Sequence, residues 1–276
     1  MKLGTVVQGD VSRAFRQDDT GTYYFDEPDV DAVIKRSDWR SLPVHKGSPP
    51  DREDLLPPVQ RPGKIICAGL NYYAHAEEVG KTPPDVPTLF TKFASALAAP
   101  AEDLVIPALS EEIDWEAELA IVIGKRVKAA GPVAARAAIF GYTVLNDVSA
   151  RDWQRRTSEW FQGKNFDRST PIGPVIVTAD ELDVEGGVGV ECAVNGVRRQ
   201  SGTTADLIFK PADLIMYITQ FMTLEPGDII ATGTPAGVGM ASKPPTYLQD
   251  GDTLTTSIEG IGELVNVIRI DRSSAQ

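Results

Sequence analysis

Apolar positions gather into short runs separated by Gly, Pro and polar clusters. They predict strands over 64–68, 104–106, 116–123, 142–146, 173–177, 188–194, 228–232, 253–258 and 262–268. Asn195-Gly196 between two such runs predicts a two-residue hairpin. Helical periodicity is rarer and predicts helices over 72–79, 133–138, 149–160 and 211–221. Ser149 is expected to cap the third of these, with Asp152 completing a capping box. Strands do not alternate regularly with helices, so neither a doubly wound nucleotide fold nor a (β/α)8 barrel is favoured. The fold class is α+β and β-rich.

The start of the chain is weaker in pattern, with strands over 2–7 and 23–25 and a short helix over 30–37. Pro49-Pro50 and Pro57-Pro58 resist both helix and sheet and mark a linker. A small N-terminal α/β domain is expected over 1–57, and the main domain over 61–276.

The run Asp114-Trp115-Glu116-Ala117-Glu118 leads directly into Leu-Ala-Ile-Val-Ile. Side chains alternate along a strand, so Glu116 and Glu118 point to one face. The unbroken apolar run after them predicts a strand buried on both sides. Asp147 closes a second apolar strand, Tyr-Thr-Val-Leu-Asn. Taken singly, each acid reads as a solvated strand end. Together, in buried surroundings, they need positive charge. Three hard oxygen donors suit Mg²⁺, with Mn²⁺ next and Ca²⁺ third. The chain has two cysteines and two histidines, which excludes a thiolate zinc site. Cys67 and Cys192 read as buried thiols.

His75 and Glu78 stand three apart on a predicted helix, where a carboxylate can orient an imidazole for general-base work. Arg151 and Gln154 share a helix face. Lys164 sits in a turn, Gln-Gly-Lys-Asn-Phe-Asp. These three read either as surface groups or as a rim for an anionic substrate. Thr232-Gly-Thr234-Pro-Ala-Gly-Val-Gly follows a strand but lacks the Gly-Lys-Ser/Thr of a phosphate loop. Its amides and the Thr234 hydroxyl could receive a substrate carboxylate, or the loop is simply a tight turn.

Composition adds limits. The net charge of −12 argues against nucleic acid or an anionic membrane as partner. No apolar run reaches transmembrane length, and the first residues carry no signal-peptide core, so a cytoplasmic location is expected.

In order along the chain, Gly69-Leu-Asn-Tyr-Tyr-Ala-His-Ala-Glu-Glu, Asp114-Trp-Glu-Ala-Glu-Leu-Ala-Ile-Val-Ile-Gly, Asn146-Asp-Val-Ser-Ala-Arg-Asp-Trp-Gln, Gly163-Lys-Asn-Phe-Asp, Pro171-Ile-Gly-Pro and Thr232-Gly-Thr-Pro-Ala-Gly-Val-Gly resemble motifs of the fumarylacetoacetate hydrolase family. The resemblance is to its smaller bacterial members, of the acylpyruvate hydrolase and 2-hydroxyhepta-2,4-diene-1,7-dioate isomerase type. It implies a catalytic domain of rolled mixed sheets and a homodimer. It further implies metal positions at Glu116, Glu118 and Asp147, a water-activating pair at His75 and Glu78, and an active-site lysine at Lys164. Arg151, Gln154 and Thr234 fall on substrate-contacting positions, and 77–91 corresponds to a lid. The expected activity is metal-dependent C–C hydrolysis of a small 2,4-dioxo acid through an enolate. The same enolate serves oxaloacetate decarboxylation or isomerisation of a 2-hydroxydienedioate. A non-catalytic metabolite-binding protein would show erosion of these positions, and none is eroded.

Overall fold

The computed structural model describes residues 1–273. Its main element is a mixed sheet of 12 strands. From one edge the path runs Val44–Gly47, Gly21–Phe25, Val11–Asp18, Lys2–Gln8, Thr170–Thr178, Ile139–Asn146, Ala117–Ile123, Ile229–Ala231, Ile65–Gly69 and Thr88–Lys92. A five-stranded sheet, ordered Val197–Thr203, Gly189–Val194, Thr253–Ile258, Gly262–Asp271 and Leu104–Pro107, contributes to the core on one side. The hairpin turn at Asn195-Gly196 is present, with both residues at positive φ.

The central strand explains the architecture. Ala117, Leu119, Ile121 and Ile123 join one apolar cluster with Val190, Leu254 and Ile268. Ala120 and Val122 join another with Leu3, Phe25, Val33, Ile65 and Ile176. The strand is therefore buried on both faces, as its unbroken apolar run predicts. Helix Pro211–Phe221 adds Leu214, Ile215 and Ile218 to the first cluster.

The N-terminal strands continue the main sheet. Lys2 and Leu3 pair antiparallel with Val177 and Ile176. The hairpin strand Val11–Asp18 lay outside the expected elements, because its alternation is broken by polar residues on the half-exposed side. The first helix is shorter than expected, Val30–Ile34, capped by Asp29 accepting from the amide of Ala32.

The expected helix over 149–160 does not form as one unit. Ser149–Ala150 pairs with Ile113–Asp114, and only Arg151–Gln154 is helical before a turn. Ser149 does not cap it, since its hydroxyl donates to the carbonyl of Asp147 at 2.7 Å. Asp152 instead accepts from the Ser110 hydroxyl. The bridge wins because it sets Arg151 beside Asp114. Part of the expected lid is also sheet, since Thr88–Lys92 pairs with Ile65–Gly69 and 79–87 alone is irregular. Among the described residues no helix is long and apolar enough to cross a membrane.

Candidate active site

Two neighbouring strands deliver the acids. Glu116 precedes and Glu118 lies within Ala117–Ile123, while Asp147 follows Ile139–Asn146, and Ala117 pairs with Asn146 across the ladder. The amide of Asp147 donates to the carbonyl of Glu116, and the Asn146 side chain accepts from the amide of Glu116. The three carboxylates are buried and offer oxygens within 4.8 Å of one another.

Three buried cations meet them. Lys164 Nζ lies 2.7 Å from both Glu116 Oε2 and Asp147 Oδ2. Lys92 Nζ lies 2.6 Å from Asp147 Oδ1. Arg151 Nη2 lies 2.7 Å from Glu116 Oε1, and its Nε donates to Asp114 at 2.8 Å. Asp114 also accepts from the amides of Gly239 and Met240. Lys164 is the last residue of a short helix, Phe161–Lys164, rather than part of an open turn. Gly163 lets that helix approach closely, because a Cβ there would stand 2.4 Å from the carbonyl oxygen of Ala150.

Four buried carboxylates thus face three buried cations, and the unbalanced one is Glu118. Among the described residues Glu118 has no cation in ion-pair contact, and its Oε2 accepts only the amide of Gly233 at 2.8 Å. Burial, reinforced by Asp147 and Glu116, pushes its carboxyl well above the ordinary range. Burial opposes ionisation of Glu116 too, but Lys164 and Arg151 outweigh it and hold that carboxyl well below the usual range. At Lys164 burial opposes the charge, yet Asp147 and Glu116 win and raise its pKa, so it is an ammonium donor. A divalent cation bound by Glu116, Glu118 and Asp147 would supply the missing charge, and the all-oxygen donor set fits a hard ion.

His75 is buried on helix Tyr73–Glu78. Its Nδ1 lies 3.1 Å from Glu78 Oε2, and Glu78 Oε1 accepts the amide of Gly237 at 2.8 Å. The carboxylate is anchored on one side and holds ring Nδ1 on the other, which leaves Nε2 outside this pairing. That cavity, of about 500 Å³, is lined by His75, Glu116, Glu118, Arg151, Gln154, Lys164 and Thr234, with Phe90 and Trp160 among its apolar walls.

Two expected roles change on closer view. The glycine-rich loop does receive carboxylates, but they are the protein's own: Glu118, Glu78 and Asp114 occupy the amides of Gly233, Gly237 and Gly239. Thr234 donates its hydroxyl hydrogen to the carbonyl of Ala117 and accepts from Gln200, so it has no donor left for a substrate carboxylate. Arg151 lines the cavity while its guanidinium braces Asp114, Glu116 and, through Nη1, Gln154.

Sequence reading missed Lys92, Asp114 and Gln200. Lys92 shares strand parity with Phe90, which was the available signal, but the strand itself went unread. Asp114 was visible in its motif without a partner to give it a role. Gln200 joins the amide of Ala117 to Thr234 from a strand far away in sequence, which no local pattern discloses. Cys67 is buried beside the acids, and burial pushes its thiol far up, so it remains neutral.

Residues 64–269 match the family model described as fumarylacetoacetate hydrolase, C-terminal. The chain is 44% identical over 239 residues to the mitochondrial oxaloacetate tautomerase FAHD2B of Bos taurus, covering 86% of this chain and 75% of that one. The mitochondrial oxaloacetate tautomerase FAHD2A of Homo sapiens is 43% identical with the same coverage of both chains, 86% and 75%. A fumarylacetoacetate hydrolase structure from Exiguobacterium antarcticum superposes with a TM-score of 0.87 at 37% identity, covering 98% of this chain and 100% of that one. A 5-carboxymethyl-2-hydroxymuconate delta-isomerase from Mycobacterium smegmatis gives 0.80 at 34% identity, with coverage of 98% and 99%. Matched by the family model over most of its length and by relatives above 40% identity, this chain belongs to the fumarylacetoacetate hydrolase family of enzymes.

Proposed function

We propose that this protein catalyses keto–enol proton transfer in a small 2-oxo diacid of the oxaloacetate type, with Mg²⁺ or Mn²⁺ held by Glu116, Glu118 and Asp147. The observation that carries the reading is His75, paired with Glu78, lining the same cavity as Glu116, Glu118 and Lys164. The 44% identity to a protein named oxaloacetate tautomerase supports the choice of reaction.

A bound divalent ion supplies positive charge against the negative charge that develops on the 2-oxo oxygen. The chain's own groups do the rest. His75 Nε2 takes a proton from C3, the C–H electrons become the C2–C3 double bond, and the carbonyl electrons move to oxygen. Glu78 stabilises the imidazolium so formed. The Lys164 ammonium hydrogen-bonds the developing enolate oxygen and lowers the barrier electrostatically, and the proton taken up by His75 then passes through a water to that oxygen to give the enol. Reversal returns the proton to C3. Phe90 and Trp160 limit water at the reacting carbons.

C–C hydrolysis of a 2,4-dioxo acid is the second reading. It is favoured by the same base pair, which could deprotonate water instead of C3, and by the likeness to a fumarylacetoacetate hydrolase at a TM-score of 0.87. Decarboxylation of oxaloacetate passes through the same enolate. The test is steady-state kinetics with Mg²⁺ or Mn²⁺ on enol-oxaloacetate, oxaloacetate decarboxylation, a 2-hydroxydienedioate and a series of acylpyruvates. Tautomerisation is expected to give the highest kcat/KM and to be lost with EDTA. Acylpyruvate cleavage exceeding it by about tenfold, equivalent to ~1.4 kcal/mol, would replace the first reading with the second.

A further inference from the structure

Four Lys or Arg side chains line the cavity: Lys81, Arg151, Arg155 and Lys164. Arg151 and Lys164 are bound into the acid cluster. Arg155 pairs with Glu112, which also accepts from the Tyr247 hydroxyl. Among the described residues, Lys81 is the one cavity-lining lysine or arginine without a carboxylate partner. In a chain of net charge −12, an exposed ammonium group without such a partner on the lining of this cavity is free to meet an anion.

Its position is also fixed by the backbone. The helix carrying His75 and Glu78 ends in a Gly80 turn with φ of 69°. There the amide of Gly80 donates to Glu77 and the amide of Lys81 donates to Ala76 at 2.8 Å. This double closure defines a glycine C-cap. It holds Lys81 at a set distance along the chain from the base, although the side chain itself is exposed. The inner end of the cavity already carries the features suited to a 2-oxo acid head.

We propose that Lys81 is a specificity-determining residue that receives the distal carboxylate of the substrate, so that this site selects 2-oxo diacids over 2-oxo monoacids. The inference rests on the proposed function for the placement of the 2-oxo acid head at the metal end. It adds the identity of the group that reads the other end. The interaction is partly screened by water, so a preference of about three- to tenfold is expected rather than an absolute one.

The test is calorimetric binding of 2-oxoglutarate and 2-oxopentanoate, two five-carbon 2-oxo acids that differ by one distal carboxylate, to the full chain with Mg²⁺ or Mn²⁺. The native protein should prefer the diacid. Lys81→Ala should bring the two affinities together by weakening the diacid alone, Lys81→Glu should reverse the order, and Lys81→Arg should keep the native preference. A native protein without preference, or a preference that survives Lys81→Ala, overturns the inference. Because the readout is binding, selective capture of the diacid without any tautomerase turnover would overturn the proposed reaction and uphold the role of Lys81. Failure to bind either acid would overturn both.

Discussion

Lys92 and Glu118 sit on opposite sides of the same charge balance, and their replacement should act with opposite sign. Lys92→Met leaves Asp147 with a single cation in a fully buried position. Loss of about 3–5 kcal/mol is expected in metal-free protein, partly recovered on adding Mg²⁺, as read from denaturant melts with and without EDTA. Glu118 has a raised folded pKa, so its favourable contribution is complete below the unfolded carboxylate value and is lost as pH rises through the folded one. Glu118→Gln should therefore stabilise metal-free protein at neutral pH and lose that advantage in acid, while abolishing the stabilisation by Mg²⁺ seen in the native chain. A variant destabilised at every pH would defeat this account. His75→Ala should lower turnover by roughly 10²–10⁴-fold with metal binding intact. At this scale motif and spacing pointed to Glu116, Glu118, Asp147, His75 and Lys164, which the structure brings close together. The sequence left Lys92 dark, because its ion pair with Asp147 joins residues 55 apart.

Short elements, more than long ones, set the chemistry. The helix Phe161–Lys164 approaches the bridge at Ser149–Ala150 only because residue 163 lacks a side chain. Gly163→Ala should displace Lys164, reduce kcat more than KM, and cost about 1–3 kcal/mol of stability, measured by kinetics and melts on one preparation. Unchanged kcat would show that the neighbouring turn yields freely. Periodicity located the long buried strand well and failed over 149–160. A capping signal there was overridden by pairing with Ile113–Asp114, a tertiary contact that local propensity does not contain. Likewise, the family resemblance marked 77–91 as a lid, and the strand Thr88–Lys92 that closes this stretch follows prolines at 83, 84 and 87 and went unread.

At the scale of the molecule, the paired prolines at 49–50 and 57–58 suggested an N-terminal unit, yet its first strand pairs with Thr170–Thr178 and its side chains share a core with Ile65, Val122 and Ile176. Deleting residues 1–57 should leave that strand edge and apolar face uncovered and give insoluble protein. A soluble, metal-binding 61–276 fragment would argue for an autonomous main domain. Homodimeric assembly is a further expectation, checked by light scattering at twice the chain mass. The class of fold was legible because buried strands announce themselves by composition, whereas strand order depends on pairings made across the whole chain. One such long-range feature bears on how the family can diversify. The loop from Gly233 to Met240 anchors Glu118, Glu78 and Asp114 through main-chain amides alone. Amides persist when side chains change. Residues lining the cavity can therefore drift toward new substrates while this half of the charge network is inherited intact, and only a shift of the loop's path, as at Gly237 or Gly239 where a Cβ would strike a carbonyl oxygen, would erase it.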